Sequence, residues 1–459
     1  MPRLNMFIIS LIAIASMACY HRLDRTREGL FLAEAIDVIT RRGLEEIDRQ
    51  ALFDAAMIGM TQELDEHTQF VSREDKEPYQ SGLEGHFAGI GVQMESDFDE
   101  ETKAIKLLIG DTLIGRPTPA HDAGLRAGDQ IVAVDGHRLA THLTEEVKED
   151  RKKLPSNDAM NRIKGPAGTK VDITVLRDGE ERTFQVTRQE IDVDTIVGEF
   201  ADSERKWDFI SAKDSRIGYI RIKAFNDRTV KELQAAIDTL QQQGPIQALI
   251  LDLRGNPGGY LTAAVQLCDM FIDRSKLDGL IVSTRDRFGK DVQVFYAQDN
   301  KTLNGFPLVI LVNGESASAS EIFAACLQDH DRAVIVGSRS FGKGSVQEVI
   351  DLERGRSLLK LTTNTFWRPS NKQIHKMEGV SEEDDWGVRP DEGWDLPFDD
   401  EQEIRRKEER SARDALFVEE EATSPESQTR QQAASTVLFD PQLDKAVEYL
   451  QAELEKKSK

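Results

Sequence analysis

Leu308-Val309-Ile310-Leu311-Val312-Asn313-Gly314-Glu315-Ser316-Ala317-Ser318-Ala319-Ser320-Glu321 reads as a buried strand, a tight Asn-Gly turn and a helix start, and the helix continues through the small-residue run from Ile322 to Gln328. A hydroxyl at that helix start lies at the positive end of the helix dipole, beside backbone N–H groups that have no partner within the helix. Such a place suits a nucleophile next to an oxyanion hole. Ser318 and Glu321 also spell S-x-x-E, a capping box that needs no chemistry. Further on, Ser340-Phe341-Gly342-Lys343-Gly344-Ser345-Val346-Gln347 is a second glycine-rich stretch. Its lysine is either an activating base or an ordinary loop cation.

Outward from this unit, residues 200–375 alternate strands and helices. A strand at 216–222 leads to an amphipathic helix at 230–240, which Gly244-Pro245 ends. The apolar run Ala248 to Leu253 is a buried strand that runs straight into Arg254-Gly255-Asn256-Pro257-Gly258-Gly259. A helix follows with Leu261, Ala264, Val265, Leu267, Met270 and Phe271 on one side, then strands at 279–283, 292–295, 333–337 and 358–363. Two strand–turn–helix units side by side would aim N–H groups at one point, with donors at Gly258 or Gly259 and at Ala319. The rival, a phosphate cradle, would want GxxxxGK[ST], which the sequence lacks.

Upstream, residues 27–78 form a helical region. Leu30 to Ile39 and Ile47 to Leu64 carry the two helical patterns, and Asp65 to Phe70 close it. His67, alone in that turn, reads as structural. From Gly82 onward come short strands and glycine turns. Gly85 to Met94 includes Gly89-Ile90-Gly91-Val92, Ala123 to Gly136 ends in an Asp-Gly hairpin turn, and Gly168 to Val186 is a β-hairpin around Asp178-Gly179. In this order and spacing, residues 80–190 resemble a PDZ domain of the kind found in bacterial proteases. The resemblance implies that the N–H groups of Gly89, Ile90, Gly91 and Val92 hold a terminal carboxylate while a peptide adds a strand. The alternative is a glycine-rich hairpin with no ligand. The polar insert from Lys148 to Pro155 departs from a compact PDZ helix approach.

The 459 residues allow about three domains. The net charge of −23 argues against nucleic-acid binding through phosphates. Residues 378–427 carry 19 acidic and 6 basic side chains, so 396–432 reads as a solvated acidic linker. Pro441 with Leu443, Val447 and Leu450 marks a helix within 433–459, packed on the core or on a partner subunit. Residues 1–19 form a signal peptide or N-terminal anchor. Arg3 precedes the apolar run from Met6 to Cys19, Ser16-Met17-Ala18 is a small-x-small cleavage site, and Cys19 offers a lipoprotein alternative. The expected location is therefore the periplasm or the outer face of the membrane. Cys268 and Cys326 lie in buried helices with no metal-ligand spacing, and read as free thiols, a disulfide being allowed but not required.

Leu64 to Phe70, the PDZ block, DLRGNPGG at 252–259, NGESASASE at 313–321, DRAVIVGSRSFGKGSVQ at 331–347 and WRPS at 367–370 together resemble the carboxy-terminal processing peptidases, also called tail-specific proteases. That resemblance implies an α/β fold: a crotonase-like ββα core with an inserted β-rich PDZ domain, the core at 200–395, and helical N- and C-terminal regions. It places the nucleophile on Ser318, the base on Lys343 and a lysine-holding glutamine on Gln347. The residue pattern alone leaves Ser316, Ser318 and Ser320 open. A lysine near its ordinary pKa of ~10.4 is protonated at neutral pH, so a lysine base must be desolvated, and a neutral Gln347 can orient it without restoring its charge. The apolar flanks Phe341 and Val346 suit such burial. No metal or cofactor is expected. The expected partners are protein substrates with exposed C-terminal tails, with membrane attachment by the N-terminus and homo-oligomerisation left open. Two other readings stand beside this one: an exported PDZ scaffold with an inactive or latent core, and a triad using His67, His330 or His375.

Overall fold

The computed structural model describes residues 27–83, 86–98, 104–112, 118–126, 128–142, 155–192, 194–201, 206–298, 302–377, 379–381, 383–415 and 439–457. The leader 1–19, most of the polar insert at 148–155 and the stretch 416–438 lie outside them. The chain forms two compact units, one of Met1–Lys76 with Gln347–Thr362, the other of Glu77–Val346 with Thr363–Lys459.

In the first unit, helices Arg27–Arg42 and Arg49–Gln62 match the two apolar patterns. Asp48 caps the second, its carboxylate accepting the Ala51 N–H at 3.2 Å. Asp65 shapes the turn that follows by accepting the N–H groups of His67 and Thr68 and the Thr68 hydroxyl. The short strand Gln69–Val71 then pairs antiparallel with residues 358–360.

Two of the sheets in the second unit have separate cores. Strands Val92–Phe98, Ile105–Thr112, Gln130–Val134, Lys170–Arg177 and Glu180–Thr187 form an antiparallel sheet with Val92–Phe98 at its edge, and Ile90, Leu107, Ile109, Ile173 and Val186 lie in its core. Helix Pro155–Ile163 packs there through Ala159 and Ile163. Arg188 holds its C-terminal end by donating to the carbonyl oxygens of Arg162 (2.8 Å) and Ile163 (2.7 Å). The Asp129 carboxylate takes two 2.6 Å hydrogen bonds from Arg177, which locks the turn before Gln130.

The other sheet runs Ile196–Val197, Ile217–Ile222, Ala248–Asp252, Leu308–Val312, Val334–Gly337, the last four strands parallel. Successive residues face opposite sides, as the pleat requires. Ile220, Ile222, Leu249, Leu251, Leu308 and Ile310 pack with helices Thr229–Gln242, Leu261–Asp269 and Ala319–Asp329. Tyr219, Ile250, Val309, Leu311 and Val336 face away, and helix Pro441–Lys457 covers them with Leu443, Val447, Leu450 and Leu454. The C-terminal helix therefore packs on the chain's own core. This double cover explains why the strands read as unbroken apolar runs.

The acidic linker expected at 396–432 requires correction, because Asp400–Ala415 is a helix. Among its described side chains, polar and ionic contacts tie it to the core: Asn313 donates to Glu403 at 2.9 Å, Glu315 pairs with Lys407, and Arg410 donates to the Gly198 carbonyl at 2.8 Å.

Candidate active site

Both turns of interest leave the same edge of the parallel sheet, because Ala248–Asp252 and Leu308–Val312 are adjacent and parallel. Their N-terminal halves are tied by two buried asparagines. Asn313 Oδ1 accepts the Gly255 N–H at 2.9 Å. Asn256 donates to the Ile222 carbonyl (2.8 Å), and its own carbonyl accepts the Ala317 N–H (3.0 Å) and the Ser320 hydroxyl (3.0 Å). Gly258 adopts φ +98°, and a Cβ there would lie 2.6 Å from the Ala317 carbonyl oxygen, 2.8 Å from Ser318 Cβ and 2.9 Å from Ala319 N. Glycine is thus required for the two turns to touch. Of the expected oxyanion donors, the Gly258 N–H is already engaged by Asn256 Oδ1 at 2.8 Å. Gly259 follows at φ +145° and passes against Phe225, whose carbonyl oxygen would lie 2.0 Å from a Cβ.

The structure separates the three serines. Ser316 and Ser320 are fully buried, and their hydroxyls donate to the carbonyl oxygens of Leu253 (2.9 Å) and Asn256 (3.0 Å). Ser318 is half-buried and sits at φ +57°, ψ −115°, the N-cap of helix Ala319–Asp329. A non-glycine residue there stores about 1–3 kcal/mol of strain, the signature of a sharp strand–turn–helix elbow.

Glu321 joins this elbow to the lysine loop. Its side chain is fully buried. Oε2 accepts the backbone N–H groups of Ser318 and Lys343, both at 2.8 Å, and Oε1 accepts the Gly342 N–H (2.7 Å) and the Ser340 hydroxyl (2.5 Å). The backbone nitrogens of Ser318 and Lys343 are therefore no more than two hydrogen-bond lengths apart. Burial pushes the Glu321 pKa up to about 7, against the opposing pull of those four donors. Ser340 also accepts the Val388 N–H at 2.7 Å, and the Trp386 ring would lie 2.8 Å from a Cβ on Gly342. Arg339 and Lys376 stack on that ring. Lys343 is half-buried. Phe341, expected as an apolar flank of the lysine, is instead 51% exposed, while Val346 packs against the main core.

The remaining expected residues fall elsewhere. Gln347 belongs to the first unit, where it donates to the Thr362 hydroxyl at 3.2 Å, which donates in turn to Asp65 at 3.0 Å. Gly89 ends a strand paired with Gln189–Asp192, Ile90 is buried in the antiparallel sheet's core, Gly91 has φ +74°, and Val92 begins the edge strand. His330 ends helix Ala319–Asp329, its Nε2 2.8 Å from the Leu280 carbonyl. Cys268 and Cys326 are buried free thiols. Among the described residues, no group of three or more His, Cys, Asp or Glu side chains could hold a metal ion. Sequence reasoning missed Asn256 and Asn313 as braces, and took Glu321 for a helix cap only.

Residues 216–392 match the family Peptidase family S41, and residues 88–187 match the PDZ domain. A carboxy-terminal-processing protease of Bartonella bacilliformis is 34% identical over 351 residues, spanning 75% of this chain and 70% of that protein. A carboxyl-terminal-processing protease of Synechocystis sp. is 33% identical over 316 residues, spanning 68% of this chain and 64% of that protein. The solved structure of a photosystem II D1 C-terminal processing protease shares 28% identity, covering 81% of this chain and 94% of that one with a TM-score of 0.46. With its PDZ domain and its serine elbow in place, the chain belongs to peptidase family S41, the serine-type carboxy-terminal-processing proteases.

Proposed function

We propose that the protein is a serine endopeptidase that cuts other proteins near their C-termini with Ser318 as nucleophile and Lys343 as general base. The carrying observation is that Glu321 Oε2 holds the backbone N–H groups of both residues, while Ser316 and Ser320 are buried and engaged. Neutral Lys343 takes the Ser318 proton as Oγ attacks the carbonyl carbon, and the tetrahedral oxyanion forms. The proton then passes to the leaving amine as the peptide C–N bond breaks, and water releases the acyl group from Ser318. With the Gly258 N–H engaged, the oxyanion donors are the N–H groups of Gly259 and Ala319. The family motif assigns Gln347 to holding the lysine, and in the structure its amide donates to Thr362. His330 stands at the far end of the nucleophile helix, about 16 Å away for eleven residues, which removes it as the base of a triad.

Gly89 to Val92 hold the tail carboxylate, and the peptide adds to the free edge of Val92–Phe98. The apolar leader is read as an export signal, checked by the N-terminal mass of protein recovered from the cell envelope. The test of the main reading uses a folded protein bearing an apolar C-terminal tag. Ser318→Ala and Lys343→Ala should each abolish its cleavage, with Ser318→Ala still binding the tag. Retained cleavage in Lys343→Ala sinks the dyad, retained cleavage in Ser318→Ala removes Ser318 as the nucleophile, and no cleavage by the unmodified chain returns it to a scaffold role.

A further inference from the structure

The first turn of the site is anchored from the far end of the chain. Arg254, only 2% exposed, has all five of its guanidinium N–H groups placed. Two donate to Asp252 (3.0 and 2.7 Å), two to Asp440 (2.8 and 2.8 Å) and one to Gln442 Oε1 (3.0 Å). Asp252 also accepts the Tyr219 hydroxyl at 2.6 Å and the Arg254 N–H at 3.0 Å. Burial pushes the Asp252 pKa up, yet Arg254 outweighs it and holds the carboxyl well below the usual range. Asp440 in turn accepts the Leu443 N–H at 3.0 Å, so the carboxylate that caps the C-terminal helix also clamps Arg254.

The second turn has a similar support. Asn313 Nδ2 donates to Glu403 of helix Asp400–Ala415 at 2.9 Å. Both supports come from beyond residue 392, where the match to the peptidase family ends. Removing one partner from a buried, hydrogen-bonded ion cluster leaves a charge without compensation, and the chain relaxes to solvate it. Here that relaxation starts at Arg254 and runs through Gly255 and Asn256, whose carbonyl holds Ala317 next to the elbow.

We infer that Asp440 is a positioning residue of the peptidase site: through Arg254 it sets the 254–259 turn from the start of the C-terminal helix. This rests on the reading of that turn and Ser318 as the proteolytic centre. It assigns a role in catalysis to a segment that the serine and lysine motifs do not include.

The test uses the full-length chain. Asp440→Asn keeps the size of the side chain and an acceptor for Leu443, and removes the charge. Its kcat should fall at least about tenfold with KM within about twofold, because misplacement of reacting groups by ~1 Å costs ~100-fold. Labelling of Ser318 by a fluorophosphonate probe should slow in parallel, while circular dichroism shows a folded protein. Leu450→Ala, which loosens the same helix without touching Arg254, should keep kcat within about twofold at a comparable loss of thermal midpoint. Equal kcat losses in the two variants at matched stability, or a folded Asp440→Asn with unchanged kcat, overturn the inference. If Asp440→Asn fails to fold, Asp440→Ser is measured the same way, and failure of both to fold also overturns it, since the role is then structural alone. Ser318→Ala run alongside separates the two levels: cleavage by Ser318→Ala refutes Ser318 as the proteolytic centre, whereas its inactivity with an unimpaired Asp440→Asn refutes only this inference.

Discussion

Glu321 is asked to be an anion in a place that disfavours anions. Four donors converge on it, and three of them are backbone N–H groups that cannot accept a hydrogen bond from a protonated carboxyl. Yet burial lifts its pKa to about 7, above the 4.5 of an unfolded glutamate. The sign follows from proton counts. Between pH 4.5 and about 7 the folded state binds the extra proton, so stability falls as pH rises through that window, by about 3 kcal/mol in all, and is flat above it. Wild-type stability relative to Glu321→Gln should therefore be greatest below pH 4.5 and shrink by that amount by pH 8, as measured by urea unfolding at several pH values. Activity should run the other way, with an acid limb in kcat/KM near pH 7 as the carboxylate forms. Glu321→Gln should lose that limb and about 10–100-fold in rate, since its amide N–H₂ would face backbone donors. A limb unchanged in the variant would detach Glu321 from the site. The sequence announced this residue as S-x-x-E, but a three-residue spacing is silent about donors arriving from Ser340, Gly342 and Lys343.

At the scale of elements, the strand–turn–helix units were legible because apolar runs, turn residues and helix starts are local signals. The touching of their turns was not, because it depends on two strands being neighbours in the sheet. Gly258→Ala tests that contact. Its Cβ would meet backbone atoms at 2.6 and 2.9 Å at φ +98°, so neither rotamer change nor side-chain movement relieves it. The expected loss is about 2–3 kcal/mol in stability by thermal unfolding, with at least about 100-fold in kcat. Wild-type activity in Gly258→Ala would mean that the turns separate without consequence. Helix Asp400–Ala415 escaped sequence reading for the opposite reason. Its composition is that of a solvated segment, and the contacts that order it, such as Glu403 with Asn313 and Lys407 with Glu315, are made with residues some ninety positions earlier.

For the molecule as a whole, the C-terminal helix supplies the second cover of the parallel sheet. Leu450 is fully buried there among Tyr219, Val309 and Leu311. Leu450→Ala should cost about 2–5 kcal/mol, read by urea unfolding of the full chain. A loss under about 1 kcal/mol would mean that the helix is only loosely seated. By itself the sequence determined the kind of elements, the α/β class, the PDZ block and a short list of candidate site residues, because each is written in runs, periods and motifs of a few residues. Tertiary structure alone decided which serine stays accessible, which glycine N–H is already engaged, and that Asp440 and Glu403 brace the site. Those outcomes depend on partners up to 186 residues apart, and burial and hydrogen-bond satisfaction at such separations are set only when the sheet and its two covers close.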